Sequence, residues 1–141
     1  MKVADILKIK QKPLVSVTSN ITVYEALKVM GENNIGALPV IESDQLVGIL
    51  SERDYARKIV LKGKKSHETM VSEIMTEKVI IISPEDSIDT CMELMRDKHI
   101  RHLPVLVEGK ITSMISIGDV VNAIIESQKE TINQLQNYIM Q

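Results

Sequence analysis

At 141 residues, 44% of them apolar and 26% charged, the chain has an ordinary globular composition and can form one compact unit or two half-size units sharing a core. A net charge of −2 supplies no general attraction to nucleic acid or an anionic membrane, and the longest aliphatic run, Val79-Ile80-Ile81-Ile82, is far too short to cross a bilayer. A single cysteine excludes an intrachain disulfide, and Met1-Lys2-Val3-Ala4-Asp5 opens without a signal-peptide core, so a reducing, cytoplasmic setting is expected.

In chain order, residues 14–17 predict a short strand. Residues 22–33 predict a helix, because Val23, Ala26, Leu27 and Met30 fall at i, i+3, i+4 and i+7 behind a capping box, Thr22-x-x-Glu25. Residues 37–41 and 45–50 predict a hairpin around Glu42-Ser43-Asp44, and residues 51–61 a second helix. Residues 62–69 are polar and basic and read as a linker, with Lys62, Lys64 and Lys65 solvated.

The chain then repeats itself. A shift of 65 places aligns Met30 with Met95, Ile35 with Ile100, Leu38-Pro39-Val40 with Leu103-Pro104-Val105, Ser51 with Ser116, Asp54 with Asp119 and Ile59 with Ile124. That is eight identities in the 30 positions from Met30 to Ile59, where chance gives about two. The helical stripe recurs as Ile88, Cys91, Met92 and Met95, with Ser87 at the capping position and Glu108-Gly109 at the hairpin turn. Val3-Ala4-Asp5-Ile6-Leu7 returns as Val71-Ser72-Glu73-Ile74-Met75, but at a shift of 68, so the first copy carries about three extra residues within 8–13. The expected class is α+β, both layers sharing a core, divided as a first repeat with linker (1–65), a second repeat (66–126) and a helical tail (127–141). In the tail, Ile125, Ile132, Leu135 and Ile139 make a narrow apolar stripe, which suits a partner helix in a homodimer better than a broad core.

Candidate chemistry gathers where each hairpin meets the second helix: Ser51-Glu52-Arg53-Asp54 and Ser116-Ile117-Gly118-Asp119. Ser-x-x-Asp is a close relative of the capping box, which is one reading. The other uses the same geometry to hold a ligand: amides at a helix start favour phosphate, a serine hydroxyl adds a donor, an aspartate accepts from ribose hydroxyls, and Arg53 can grip phosphate. Both readings stand at this point. Other constellations fall short. His99-x-x-His102 lacks further metal ligands beyond a loose Glu108, Cys91 replaces Ala26 on a core-facing stripe, and Ser116 and Asp119 lie one helical turn apart with no catalytic partner needed to explain them. Neither a bound metal nor catalytic residues are expected, and three tyrosines do not supply the exposed aromatics of an RNA-binding face.

Leu-Pro-Val beside these helix starts, twice and in register, resembles the CBS (cystathionine β-synthase-type) domain, whose tandem pair is called a Bateman module. The likeness covers residues 1–126, and Ile35-Gly36-Ala37-Leu38-Pro39 with Ile100-Arg101-His102-Leu103-Pro104 resembles small free-standing two-repeat proteins of bacteria and plant organelles. The resemblance implies two β-α-β-β-α repeats related by a pseudo-twofold and packed sheet to sheet, with ligand clefts between them. Carried over residue by residue, it implies Asp54 and Asp119 on ribose, and Ser51 and Ser116 toward ribose or phosphate. It places Ile35, Gly36, Ala37, Ile100, Arg101 and His102 on the cleft walls, Arg101 and His102 reaching phosphate, and Val17-Thr18 and Ile82-Ser83 against the base. The copies differ: the first has Arg53 with Gly36 and Ala37, the second Arg101 and His102 with Gly118, so cations of one copy can serve a ligand held by the other. The expected function is therefore a non-catalytic regulatory module that binds an adenine nucleotide (AMP, ADP, ATP or NAD(H)) and acts on a partner protein. The alternatives are a scaffold dimer with empty clefts and an S-adenosylmethionine-binding module.

Overall fold

The computed structural model describes residues 1–140. Its elements run α1 (Val3–Ile9), α2 (Val23–Asn33), β1 (Ala37–Glu42), β2 (Gln45–Ser51), α3 (Glu52–Tyr55), α4 (Val71–Ile74), α5 (Ile88–Lys98), β3 (His102–Val107), β4 (Lys110–Ser116) and α6 (Ile117–Ile139). Residues Ala56–Val60 continue α3 as one π-helical turn. This widened turn brings both Asp54 and Ile59 inward, a spacing of five that a regular helix does not place on one face.

The repeat is visible in the caps and turns. Thr22 opens α2 by accepting the Glu25 amide, and Ser87 opens α5 by accepting the Thr90 amide. The Glu25 side chain does not close the expected reciprocal bond, so each cap is single. Both helices end on a left-handed residue, Asn34 and His99, each at φ 54°. The hairpins turn through paired positive-φ residues, Ser43-Asp44 and Glu108-Gly109, the geometry that matches strand twist. Each carries an irregularity at the same place, between Val40 and Ile41 and between Val105 and Leu106.

The expected first strand at 14–17 shrinks to one residue per repeat. Val17 bridges Val40 in parallel and Ile82 bridges Val105. The Val17 and Ile82 amides reach the carbonyls of Pro39 and Pro104, and the chain then leaves the sheet edge for the helix cap.

The two cores do not follow the two repeats. Val3 and Ile6 of α1 are buried with Ile88, Cys91, Leu103, Ile115 and Val120, whereas Val71 and Ile74 of α4 are buried with Val23, Leu38, Leu50 and Ile59. Each repeat thus lends its opening helix to the other. Main-chain bonds lock the exchange: Val3 N–H to Asp86 O at 2.8 Å and Ile88 N–H to Met1 O on one side, Val71 N–H to Ile21 O at 2.9 Å and Val23 N–H to Thr69 O on the other. Helices of seven and four residues have no stability of their own, and docking on the opposite repeat is what forms them. Cys91 is fully buried in place of Ala26, and burial pushes its thiol up, away from the reactive thiolate.

β2 and β4 meet across the seam between the repeats. Gly48 in β2 permits one close approach, since a Cβ there would lie 2.7 Å from Met75 Sδ and 3.0 Å from the Thr76 carbonyl. Ile49 and Thr76 accordingly exchange main-chain bonds at 2.9 and 2.8 Å, which fixes Thr76 beside Asp54. Among the described residues no helix is long and apolar enough to cross a membrane.

Candidate functional site

The seam opens into two unequal cavities. The larger, about 580 Å³, lies where the start of α3 faces the end of α5. That volume is within the range of small-molecule sites, roughly 300–1,000 Å³. The smaller, about 290 Å³, faces the start of α6 and sits at the lower edge of that range.

The larger cavity collects Ser51, Arg53 and Asp54 from the first repeat and Ile100, Arg101 and His102 from the second, so cations of both copies line one cavity. Arg53 Nη1 also donates to the His99 carbonyl, tying the start of α3 to the cap of α5. Sequence reasoning missed four further cations on this wall: Arg57, Lys58, Lys78 and Lys98. Arg57 and Lys58 lie four places beyond Arg53 and Asp54 on one helical face, a spacing that could have shown them. Six Lys or Arg side chains therefore line the cavity against two carboxylates, Glu52 and Asp54. Such a wall attracts anions strongly, whatever the charge of the whole chain.

Main-chain amides contribute less than expected. The Glu52 N–H donates to Gly36 O and the Asp54 N–H to Ser51 Oγ, so two of the first three amides of α3 already have acceptors. The positive charge at this wall comes from side chains.

Asp54 is a cap and a cavity residue at once. Its Oδ2 accepts from the Ser51 amide and hydroxyl at 3.0 Å each, while Oδ1 accepts from Lys58 Nζ at 3.0 Å and Thr76 Oγ1 at 3.3 Å. Four donors match the roughly four lone-pair sites of a carboxylate. Any further donor would have to replace one of them, and the Thr76 hydroxyl at 3.3 Å is the weakest held.

The second cavity is built from Leu14, Val15, Ile35 and Ser116, with Gly36, Ala37 and His102 shared between both walls. Asp119, the counterpart of Asp54, does not line it. Lys10 Nζ binds one oxygen of that carboxylate, donating to Asp119 Oδ2 at 2.7 Å and to the Met114 carbonyl at 2.5 Å. Burial pushes the Asp119 carboxyl up, but the Lys10 ammonium and the Ser116 amide outweigh it and hold the group below the usual aspartate range. Burial, then the neighbouring Lys10 charge, holds the His102 imidazole below its ordinary value against the pull of Asp119.

Four expected wall residues lie elsewhere. Val17 and Ile82 are buried in the two cores, and their neighbours Thr18 and Ser83 are turned to local bonds, Thr18 Oγ1 to Asn20 and the Ser83 amide to Asp86. The bridge to the sheet edge aims Val17 and Ile82 inward, and the cavity walls come from the residues just before them, Leu14-Val15 and Val79-Ile80.

The CBS domain family matches this chain at residues 3–61 and 71–126. The chain belongs to that family, as a tandem CBS pair. It is similar to the mitochondrial CBS domain-containing protein CBSX3 of Arabidopsis thaliana, at 41% identity over 97% of this chain and 71% of that one. Among solved structures, a CBS-domain protein from Burkholderia ambifaria superposes with a TM-score of 0.87 at 49% identity, covering 91% of this chain and 96% of that one. The CBS pair of protein MJ0100, solved with 5′-methylthioadenosine and S-adenosyl-L-methionine, superposes with a TM-score of 0.79 at 27% identity, covering 90% and 98%.

Proposed function

We propose that this chain is a non-catalytic regulatory module whose larger cleft binds a phosphate-bearing adenine nucleotide (AMP, ADP, ATP or NAD(H)) and passes the resulting change in repeat packing to a partner protein. The observation that carries this reading is the set of six cations facing two carboxylates in the larger cavity at the seam. A ligand there touches both repeats, and it shifts their arrangement by its differential affinity for the two packings. The MJ0100 pair binds adenosyl sulfur compounds. Here the cationic wall disfavours a sulfonium and favours phosphate, which supports the nucleotides over S-adenosylmethionine.

The test is thermal unfolding with AMP, ATP, NAD, NADH and S-adenosylmethionine. A ligand at a hundred times its dissociation constant is expected to stabilise the fold by about 2.7 kcal/mol. No shift with any of the five would leave a scaffold role, and turnover of any of them would make the chain an enzyme.

We assign the tail to self-association as a homodimer. Ile125, Ile132, Leu135 and Ile139 of α6 are 43–79% exposed along one polar-backed helix. A chain ending at Glu126 is expected to sediment as a smaller species than the full chain; identical sedimentation would remove the tail from the interface. The single inert thiol suits a reducing cytoplasmic setting.

A further inference from the structure

We propose that the turn after α3, where exposed Val60 and Leu61 stand beside Lys62, Lys64 and Lys65, is the surface on which the partner protein docks, through an acidic segment that carries an aliphatic side chain. The inference rests on the reading of this chain as a module that acts on a partner protein. It does not depend on which nucleotide fills the cleft.

Residues 56–67 hold five Lys or Arg and no Asp or Glu. The second repeat serves as an internal control, because at a shift of 65 the same stretch is 121–132, which holds Lys129 against Glu126 and Glu130. That repeat closes its core without a cationic run at this place, so the repeat fold does not require one. Two of the five cations face elsewhere: Arg57 lines the larger cavity, and Lys58 pairs with Asp54. Lys62, Lys64 and Lys65 are exposed and, among the described residues, take part in no ion pair.

The apolar component comes from the way α3 ends. Its π turn puts Ile59 in the core and leaves the next two residues, Val60 and Leu61, 55% and 77% exposed. The chain does not wind on to bury them, because Gly63 takes φ 65° and the Lys64 N–H bonds back to the Ile59 carbonyl at 2.9 Å. Further on, the Ser66 carbonyl accepts the Tyr24 N–H, the Thr69 hydroxyl donates to the Lys65 carbonyl, and His67 stacks on Tyr24 at 3.8 Å. The main chain is thus tied down at both ends while the Leu61 side chain and three ammonium groups stay in solvent. A main chain ordered in advance lowers the entropic cost of docking.

Charge decides the occupant. A chain of net −2 with five positive charges in this stretch carries −7 over the remainder, which an anionic bilayer or a long polynucleotide would repel on approach. A narrow acidic segment meets the lysines alone. An aliphatic residue in that segment covers Val60 and Leu61, and carboxylates on either side pair with the lysines. In such an arrangement the apolar contact supplies affinity, and the charges supply encounter rate and choice of partner. The surface also continues the cleft wall, since Arg57 lines the larger cavity four residues before Leu61. A partner seated there holds the same helix that borders the cleft.

The experiment is fluorescence anisotropy of a labelled peptide, two leucines flanked on each side by three glutamates, titrated with the full chain at low salt. Binding is expected, and it should weaken as salt rises. It should fall about tenfold for Lys62→Gln/Lys64→Gln/Lys65→Gln and about tenfold for Leu61→Ser, with melting points unchanged because all four side chains are exposed. A peptide with glutamine in place of every glutamate should not bind. Equal affinity in the natural chain and either variant, or equal affinity for both peptides, would overturn the proposal. Retention on phosphatidylglycerol vesicles without binding to the acidic peptide would assign the surface to lipid and overturn it as well. ATP titrated into the same samples keeps the two readings apart. A chain that binds ATP and ignores the peptide loses this surface and remains a nucleotide module; one that binds the peptide and ignores ATP keeps the surface and loses the nucleotide.

Discussion

Ile6→Ala should destabilise the protein by about 2–5 kcal/mol, the cost of deleting a buried isoleucine side chain and leaving a cavity. Ile6 is 2% exposed and packs with Leu103, Ile115 and Val120, all in the second repeat. The damage should therefore appear far away in sequence. Amides of α5 and β3 are expected to lose hydrogen-exchange protection before those of α2 and β1, although the mutation lies in the first repeat. Ile74→Ala should do the reverse, loosening α2 and β1, because Ile74 packs with Leu38 and Leu50. For a chain of this size each kcal/mol moves the melting point by about 2–4 °C, so calorimetry reads the effect easily. If Ile6→Ala weakens α2 and β1 first, the exchange of opening helices does not hold the cores together.

Charge reversal at the seam gives the largest effect on binding. The double variant Arg53→Glu/Arg101→Glu removes one cation from each repeat and turns two attractions into repulsions. A hydrogen bond to a charged group contributes about 1.5–3 kcal/mol, so losing two should weaken ATP binding at least about a hundredfold. The loss should be largest at low salt, where the field of the cationic wall is least screened. Neither arginine is buried, and Arg53 loses one exposed bond to the His99 carbonyl, so the melting point without ligand should fall only slightly. Lys62→Glu/Lys64→Glu, at exposed positions outside both cavities, serves as the control and should leave affinity near its natural value. Equal ATP affinity in the reversed and natural chains would remove the larger cleft as the binding site.

The sequence made the local devices readable because each depends on neighbours a few residues apart. Thr22 and Ser87 cap where expected, the hairpins turn at Ser43-Asp44 and Glu108-Gly109, and the apolar stripes of α2 and α5 face their cores. What lay between distant segments was not readable. The apolar spacing of Val3 and Ile6 shows a buried face but carries no information about which core buries it. The cationic wall was half seen for the same reason, since Lys78 and Lys98 come from segments that meet Arg53 only after the repeats pack. Val17 and Ile82 were placed in the clefts, whereas a single bridge to the sheet edge turns them into the cores. Asp54 carries a subtler lesson. Ser-x-x-Asp spacing does not separate capping from facing a cleft, and a single carboxylate does both, Oδ2 closing the cap while the side chain lines the cavity.

The traded opening helices bear on how such a chain can arise. A half-length ancestor holding one copy could fill its core only by taking that helix from a second molecule, so it would have been an obligate pair whose folding depended on concentration. Joining the two copies through residues 62–69 places the donor within the same molecule, at an effective concentration in the millimolar range for a short flexible connection. Fusing two copies thus converts a bimolecular assembly step into a unimolecular one, with the seam in the place of an interface between two identical partners.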